Sequence, residues 1–116
     1  MTELLIEDVK FLSLERMAKK VKEFVERSAV TKLGLHRIGL KSREFCFICL
    51  GVGPKLIFEH FSLRDNDINE LSLKCLDVLM KFHKNTQFDF AGNPIEKELR
   101  RKPNYKRCLS SCVFTE

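Results

Sequence analysis

Hydrophobic and polar residues alternate in four short frames along the chain. Phe61-Ser-Leu-Arg-Asp-Asn-Asp-Ile68 and Phe88-Asp-Phe-Ala-Gly-Asn-Pro-Ile95 share one order: apolar, x, apolar, x, x, Asn, x, Ile. Their asparagines, Asn66 and Asn93, stand 27 residues apart. Leu33 to Leu40 keeps the apolar frame with Ile38 in the asparagine slot, and Leu4 to Phe11 keeps it with Val9 there. Met1, Val30 and Phe58 stand three places upstream of the first three frames, while the fourth departs with Asn85. Alternation predicts short strands with Leu33, Leu35, Phe61 and Leu63 inward and Gly34, His36, Ser62 and Arg64 outward.

Helical spacing fills the intervals. Leu14, Met17, Val21, Phe24 and Val25 form one apolar stripe, and Lys19, Lys20, Lys22, Glu23 and Glu26 cover the rest of that surface. Leu73, Leu76, Leu79 and Met80 form a second stripe with Cys75 beside it; Asn69 is the expected cap and Asn85 the expected stop. Ser42 to Leu50 is apolar nearly all round after Glu44, and Gly51, Gly53 and Pro54 end it early, which predicts a short buried helix.

The unit is a strand followed by a helix, repeated about every 28 residues. One such unit cannot bury both its strand and its helix stripe alone, so neighbours must stack into a continuous core. A three-layer α/β domain is the alternative, but its central strands would be apolar on both faces. These frames are short and half polar. The expected fold is therefore α/β: a short curved solenoid of about four repeats with parallel strands on the concave side and helices on the convex side.

These residues resemble leucine-rich repeats of the ribonuclease-inhibitor-like class, also found in the C-terminal regions of NOD-like receptors. Phe58 to Ile68 followed by Asn69 to Leu79 is similar to one whole repeat, and Phe88 to Ile95 to the start of the next. The resemblance spans residues 1–99, with repeats starting near 4, 33, 61 and 88. It implies a horseshoe whose asparagines bond backbone groups of adjacent turns. Asn66 and Asn93 can do so; Ile38 and Val9 cannot, so the early turns are expected to be less regular. It also implies binding of another protein through the outward strand positions.

Those positions form a grid. One row reads Leu5, Gly34, Ser62 and Asp89, the next Glu7, His36, Arg64 and Ala91, and the loops beyond add Asp8, Arg37, Asp65 and Gly92. Glu7, His36, Arg37, Ser62, Arg64, Asp65 and Asp89 are the candidate partner-binding residues. The grid has two arginines but no aromatic residue, whereas interface hot spots favour Trp, Tyr and Arg. Charge reversal at Arg64 or His36 is expected to weaken binding without lowering the melting temperature.

Charge modifies this picture only at the C-terminal end. The chain of 116 residues carries a net charge of +5, but residues 96–116 hold +3 of it. Residues 100–116 read as a basic, Cys-containing capping segment, broken at Pro103, with Leu109, Val113 and Phe114 able to fold back over the last repeat. Arg100 to Arg107 could instead serve nucleic acid, but only Tyr105 interleaves with it, so nucleic acid is not the expected partner.

Five cysteines include Cys46-x-x-Cys49 and Cys108-x3-Cys112, which could ligate zinc and make this a zinc-stabilised small domain. The first pair sits among Phe45, Phe47, Ile48 and Leu50, the setting of packed thiols. No metal or cofactor is expected. Glu3, Glu7 and Asp8 do not fit a secretory signal, and no apolar run approaches the ~20 residues of a membrane span, so the default is a cytoplasmic protein without a membrane partner. Gly51-Val-Gly53 is too short for a dinucleotide fingerprint, and no nucleophile elbow, P-loop or His-Glu-x-x-His occurs. His36, His60 and His83 fall in separate contexts, so no catalysis is expected. Four repeats are near the minimum for a solenoid. Its ends would be covered by self-association into a homodimer, or by the rest of a larger repeat protein.

Overall fold

The computed structural model of the chain describes residues 2–50, 58–110, 112 and 114. Each frame begins as a strand. β1 (Thr2–Glu7), β2 (Val30–His36), β3 (His60–Ser62) and β4 (Gln87–Asp89) pair in parallel in the order β1-β2-β3-β4. The register aligns the frames: Leu5 with Gly34, Gly34 with Ser62, and Ser62 with Asp89. The two grid rows expected from alternation therefore begin as straight rows across the sheet.

A helix follows each strand: α1 (Leu14–Arg27), α2 (Ser42–Cys49), α3 (Leu73–Phe82) and α4 (Glu96–Arg101). Ser13 caps α1, its Oγ accepting from the Arg16 N–H at 3.2 Å. Met17, Ala18, Val21 and Val25 form the buried face of α1, while Phe24 is exposed at the edge of the expected stripe. A 3-10 turn, Glu70–Ser72, leads into α3, and the Asn69 side chain accepts from Leu71 N–H at 3.0 Å. That cap is held from outside, because Ser42 Oγ donates to Asn69 Oδ1 at 2.9 Å. Asn85 is not the stop: α3 ends at His83, whose N–H bonds the Leu79 carbonyl. The helix α2 is short as expected, with Phe45 and Ile48 buried, but Leu50 lies beyond it and is 75% exposed. The Gly51, Gly53 and Pro54 breakers lie outside the described residues, as does Met1.

Every crossover steps one strand in the same direction. Right-handed connections then place the helices on one face of the sheet. The core lies between sheet and helices. Leu33, Leu35, Phe61, Leu63, Phe88 and Phe90 fill it from the strand side, and Phe45, Ile48, Leu76 and Leu79 from the helix side. Val30 and Phe58 are buried three places upstream of their frames. Where Asn85 departs from that pattern, Thr86 is buried instead and donates to the Phe58 carbonyl at 2.7 Å.

The turns after the strands repeat in backbone as well as in sequence. Asp8, Arg37, Asp65 and Gly92, each four residues into its frame, all have positive φ, from 51° to 78°. Only Gly92 adopts this without strain, and it is also needed for space. A Cβ there would fall 2.0 Å from Asp65 Oδ1 and 3.1 Å from the Asp65 Cα. The N–H groups of Asp8, Arg37 and Asp65 each bond a carbonyl of the following frame: His36, Arg64 and Ala91.

The asparagines tie successive turns together. Asn66 Oδ1 accepts from the N–H groups of Ile38 and Leu40, both at 3.1 Å, and its Nδ2 donates to the carbonyls of Leu35 and Leu63. Asn93 Oδ1 accepts from Ile68 N–H, and its Nδ2 donates to Leu63 and Phe90. Ile38 is simply buried in its slot, whereas Val9 is 43% exposed. The early strands are the longer ones. β1 and β2 pair over six residues, with one register shift between Thr2 and Glu3, and β3 and β4 have only three residues each.

Candidate partner-docking site

All seven expected residues are joined on the strand face and its rim: His36 with Glu7 and Ser62, Arg37 with Glu7 and Asp65, and Arg64 with Asp89. Alternation alone suggested solvated side chains, and for two of them this is wrong. Ser62 is 0% exposed and Asp89 only 3%. The C-terminal segment leaves a 3-10 turn (Pro103–Cys108) and returns along the sheet close to them. Phe90 N–H donates to the Cys108 carbonyl and Ser110 N–H to the Phe88 carbonyl, so the segment runs antiparallel beside β4, with Leu109 opposite Asp89. Cys112 Sγ lies 3.5 Å from the Gln87 carbonyl oxygen. Phe114 then reaches β2, where its ring meets His36 edge-on with centroids 5.9 Å apart.

His36 links the first cluster. Its Nε2 and Ser62 Oγ are 2.6 Å apart, and its Nδ1 faces Glu7 Oε2 at 3.6 Å. The carboxylate favours the proton on Nδ1, leaving Nε2 to accept from the hydroxyl. Carboxylate, imidazole and hydroxyl thus stand in the order that activates a serine nucleophile. A nucleophile must also reach a substrate, and this serine is fully buried. In this arrangement Ser62 completes the hydrogen bonding of a half-buried imidazole.

Burial pushes the His36 pKa below its ordinary value, opposed by the Glu7 contact and reinforced by the Arg37 charge, while Asp89 acts with Glu7. The unfolded chain therefore takes up this proton first, and folding stability should fall as pH drops through about 6.5, the value expected for the unfolded imidazole. Thermal melts from pH 7.5 to 5 test this: His36→Gln should flatten the fall, and an unchanged slope in that variant would discount it. Asp89 acts in the opposite sense at lower pH, because burial raises its carboxyl pKa against the Ala91 N–H and Arg64 that favour its charge.

Arg37 organises the rim. Its Nε donates to Asp8 Oδ1 at 2.6 Å, and its other nitrogens reach Asp8 Oδ2 and Glu7 Oε2 at 3.2 Å and Asp65 Oδ2 at 3.4 Å. One guanidinium thus spans carboxylates from both neighbouring frames, and it holds Asp8 below the usual carboxylate range. Arg64 Nε lies 3.3 Å from Asp89 Oδ2, and Asp89 Oδ1 accepts from Ala91 N–H at 3.1 Å. Charge reversal at Arg64 or His36 would therefore disturb buried partners and lower stability as well as binding. Milder variants are required.

The basic C-terminal stretch is used structurally at several positions. Arg107 donates to the carbonyls of His83 at 2.7 Å and Met80 at 2.8 Å, closing the C-terminal end of α3, and its guanidinium lies 5.6 Å from the Phe88 ring centre. Tyr105 O–H donates to Asp77 at 2.7 Å. Arg100 pairs with Glu96 and Arg101 with Glu98. The expected boundary after residue 99 falls inside α4.

The two cysteine pairs lie in different places. Cys46 and Cys49 line the groove between α2 and α3 with Cys75, Cys108 packs against Met80, and Cys112 lies on the strands. Burial pushes the Cys46, Cys108 and Cys112 thiols up to about 12, with Cys75 adding to the rise at Cys46. Among the described residues, no group of three or more His, Cys, Asp or Glu side chains could hold a metal ion, and no helix is long and apolar enough to cross a membrane.

The sequence reading missed the returning segment as part of this face. Its apolar Leu109 and Phe114 were the signal for folding back, but not for where they land. No protein-family model, curated protein or solved structure matches the chain.

Proposed function

We propose that this chain is a short leucine-rich-repeat solenoid, in the cytoplasm, that binds another protein through its strand face and catalyses no reaction. The register of the four strands carries this reading: it sets Leu5, Gly34, Ser62 and Asp89 in one row and pairs Glu7 with His36 in the next. The positive-φ residue repeated at each turn and the bonds from Asn66 and Asn93 to preceding turns support the repeat assignment. The helices lie on the other side of the sheet, so the strand face is the broad surface they leave uncovered.

The chemistry of that face favours a protein over nucleic acid. Arg37 is matched by Glu7, Asp8 and Asp65, and Arg64 by Asp89, so no single-sign field is built. A phosphate backbone selects unmatched cations. Ser62 is buried beside an imidazole of lowered basicity, which supports a non-catalytic role.

Arg64→Gln tests the assignment, since it removes the charge and keeps a donor for Asp89. A protein ligand selected against the folded chain should bind Arg64→Gln at least about fivefold more weakly, corresponding to about 1 kcal/mol. It should bind Lys20→Glu, on the exposed side of α1, as well as wild type. Equal affinity for all three would remove the strand face from the interface.

A further inference from the structure

Gly34 stands between the candidate residues of neighbouring strands and presents no side chain to the strand face. A Cβ built there would fall 2.7 Å from Leu5 Cδ1 and 2.8 Å from Phe114 Cζ, with Phe114 Cε1 at 3.2 Å. The position is therefore a notch, and an aromatic ring from elsewhere in the chain fills it. Leu5 lines one side, and His36 meets the ring edge-on. The segment that delivers the ring is tethered by the bonds of Ser110 to Phe88 and Cys108 to Phe90. Its Leu109 pairs with Asp89, which is buried in the same row as Ser62.

We infer that the notch at Gly34 accepts the aromatic side chain of an extended peptide segment, and that the Phe114 ring is its intramolecular occupant, which a docking partner must displace. The partner is thus a protein presenting an extended stretch with a Phe-like side chain. This supplies the aromatic anchor that the strand-face side chains lack. Glycine is the fitting residue on the receiving side, because any larger side chain would occupy the ring's place. The inference rests on the strand-face reading for its biological meaning, but the notch and its occupant can be tested separately.

Tethering sets the size of the effect. A ring carried on the same chain has an effective concentration of about 1 mM at the notch, so it reduces binding of a separate peptide with a Kd of about 100 μM roughly tenfold. The probe is a fluorescent synthetic peptide with the sequence of residues 109–116, titrated into the full chain and into Phe114→Ala. Phe114→Ala should bind it about tenfold more tightly than wild type. Adding Gly34→Ala to that variant should abolish the gain, as should replacing the phenylalanine of the peptide by alanine. NMR of the wild-type chain guards against misfolded variants: the Gly34 α-protons should carry a ring-current shift that Phe114→Ala removes while leaving the core resonances in place. Equal affinity for wild type and Phe114→Ala, no binding by either, or a gain insensitive to Gly34→Ala would overturn the inference. A partner footprint confined to the helices would refute the strand-face function while leaving the peptide result standing. A strand-face footprint with no peptide gain would refute only the occupancy.

Discussion

Asn66→Asp should destabilise the chain by about 3 kcal/mol or more at pH 7, although it changes one amide nitrogen to oxygen. Asn66 is buried, and its Nδ2 donates to the Leu35 carbonyl at 2.6 Å and the Leu63 carbonyl at 3.0 Å. A carboxylate oxygen in that place would face two carbonyl oxygens. The loss falls at a joint, since Oδ1 accepts from Ile38 and Leu40 in the preceding turn. Burial and the opposed carbonyls should raise the introduced carboxyl's pKa. The folded state then holds the proton more tightly than the unfolded one, so the deficit shrinks as pH falls and the group donates again. Asn66→Ala should be similarly costly but lack this recovery. Urea melts of both variants against wild type at pH 7 and 5 measure the pattern. A Asn66→Asp variant within about 0.5 kcal/mol of wild type at pH 7 would contradict the role given to this side chain.

Phe45→Ala should cost about 3–5 kcal/mol, a large share of the 5–15 kcal/mol typical of a folded domain. The ring projects from α2 fully buried, edge-on to Phe90 at 5.5 Å and tilted against Phe61 at 6.2 Å. It therefore fills the space between the helix and two strands, and those flanking rings leave little room for collapse. Phe47, two residues on, is only partly buried and has Lys22 Nζ 5.6 Å from its ring centre. Phe47→Ala should cost less than half as much. Melting temperatures of the two variants, measured side by side, check this ordering, and a reversal would mean the core has been misplaced.

Position in the frame made much of this legible beforehand. Period-two alternation located the strands, their register and the inward phenylalanines, because one buried face fixes which side chains must turn inward. It also marked Asn66 and Asn93, whose spacing repeats one turn of chain. The helix stripe erred at Phe24, which lies at its edge, and Asn85 misled because α3 is closed earlier, with Arg107 from a distant segment bonding its last carbonyls. Ser62 and Asp89 were misread for a related reason. Local pattern says which way a side chain points, but not what later chain is laid beside it. That depended on the pairing of Leu109 with Asp89, twenty residues apart, which leaves no periodic trace. Arg37 was singled out as a binding residue, yet the three carboxylates around it come from frames before and after its own and become neighbours only when the turns stack.

Hydrogen–deuterium exchange of the full chain with and without a bound protein ligand tests the central proposal most directly. Amides at 33–37, 60–65 and 87–91 should gain protection on binding, while Ser110 and its neighbours lose it as the segment leaves β4. Protection confined to α1, α2 and α3, with the strands and the C-terminal segment unchanged, would contradict the proposal.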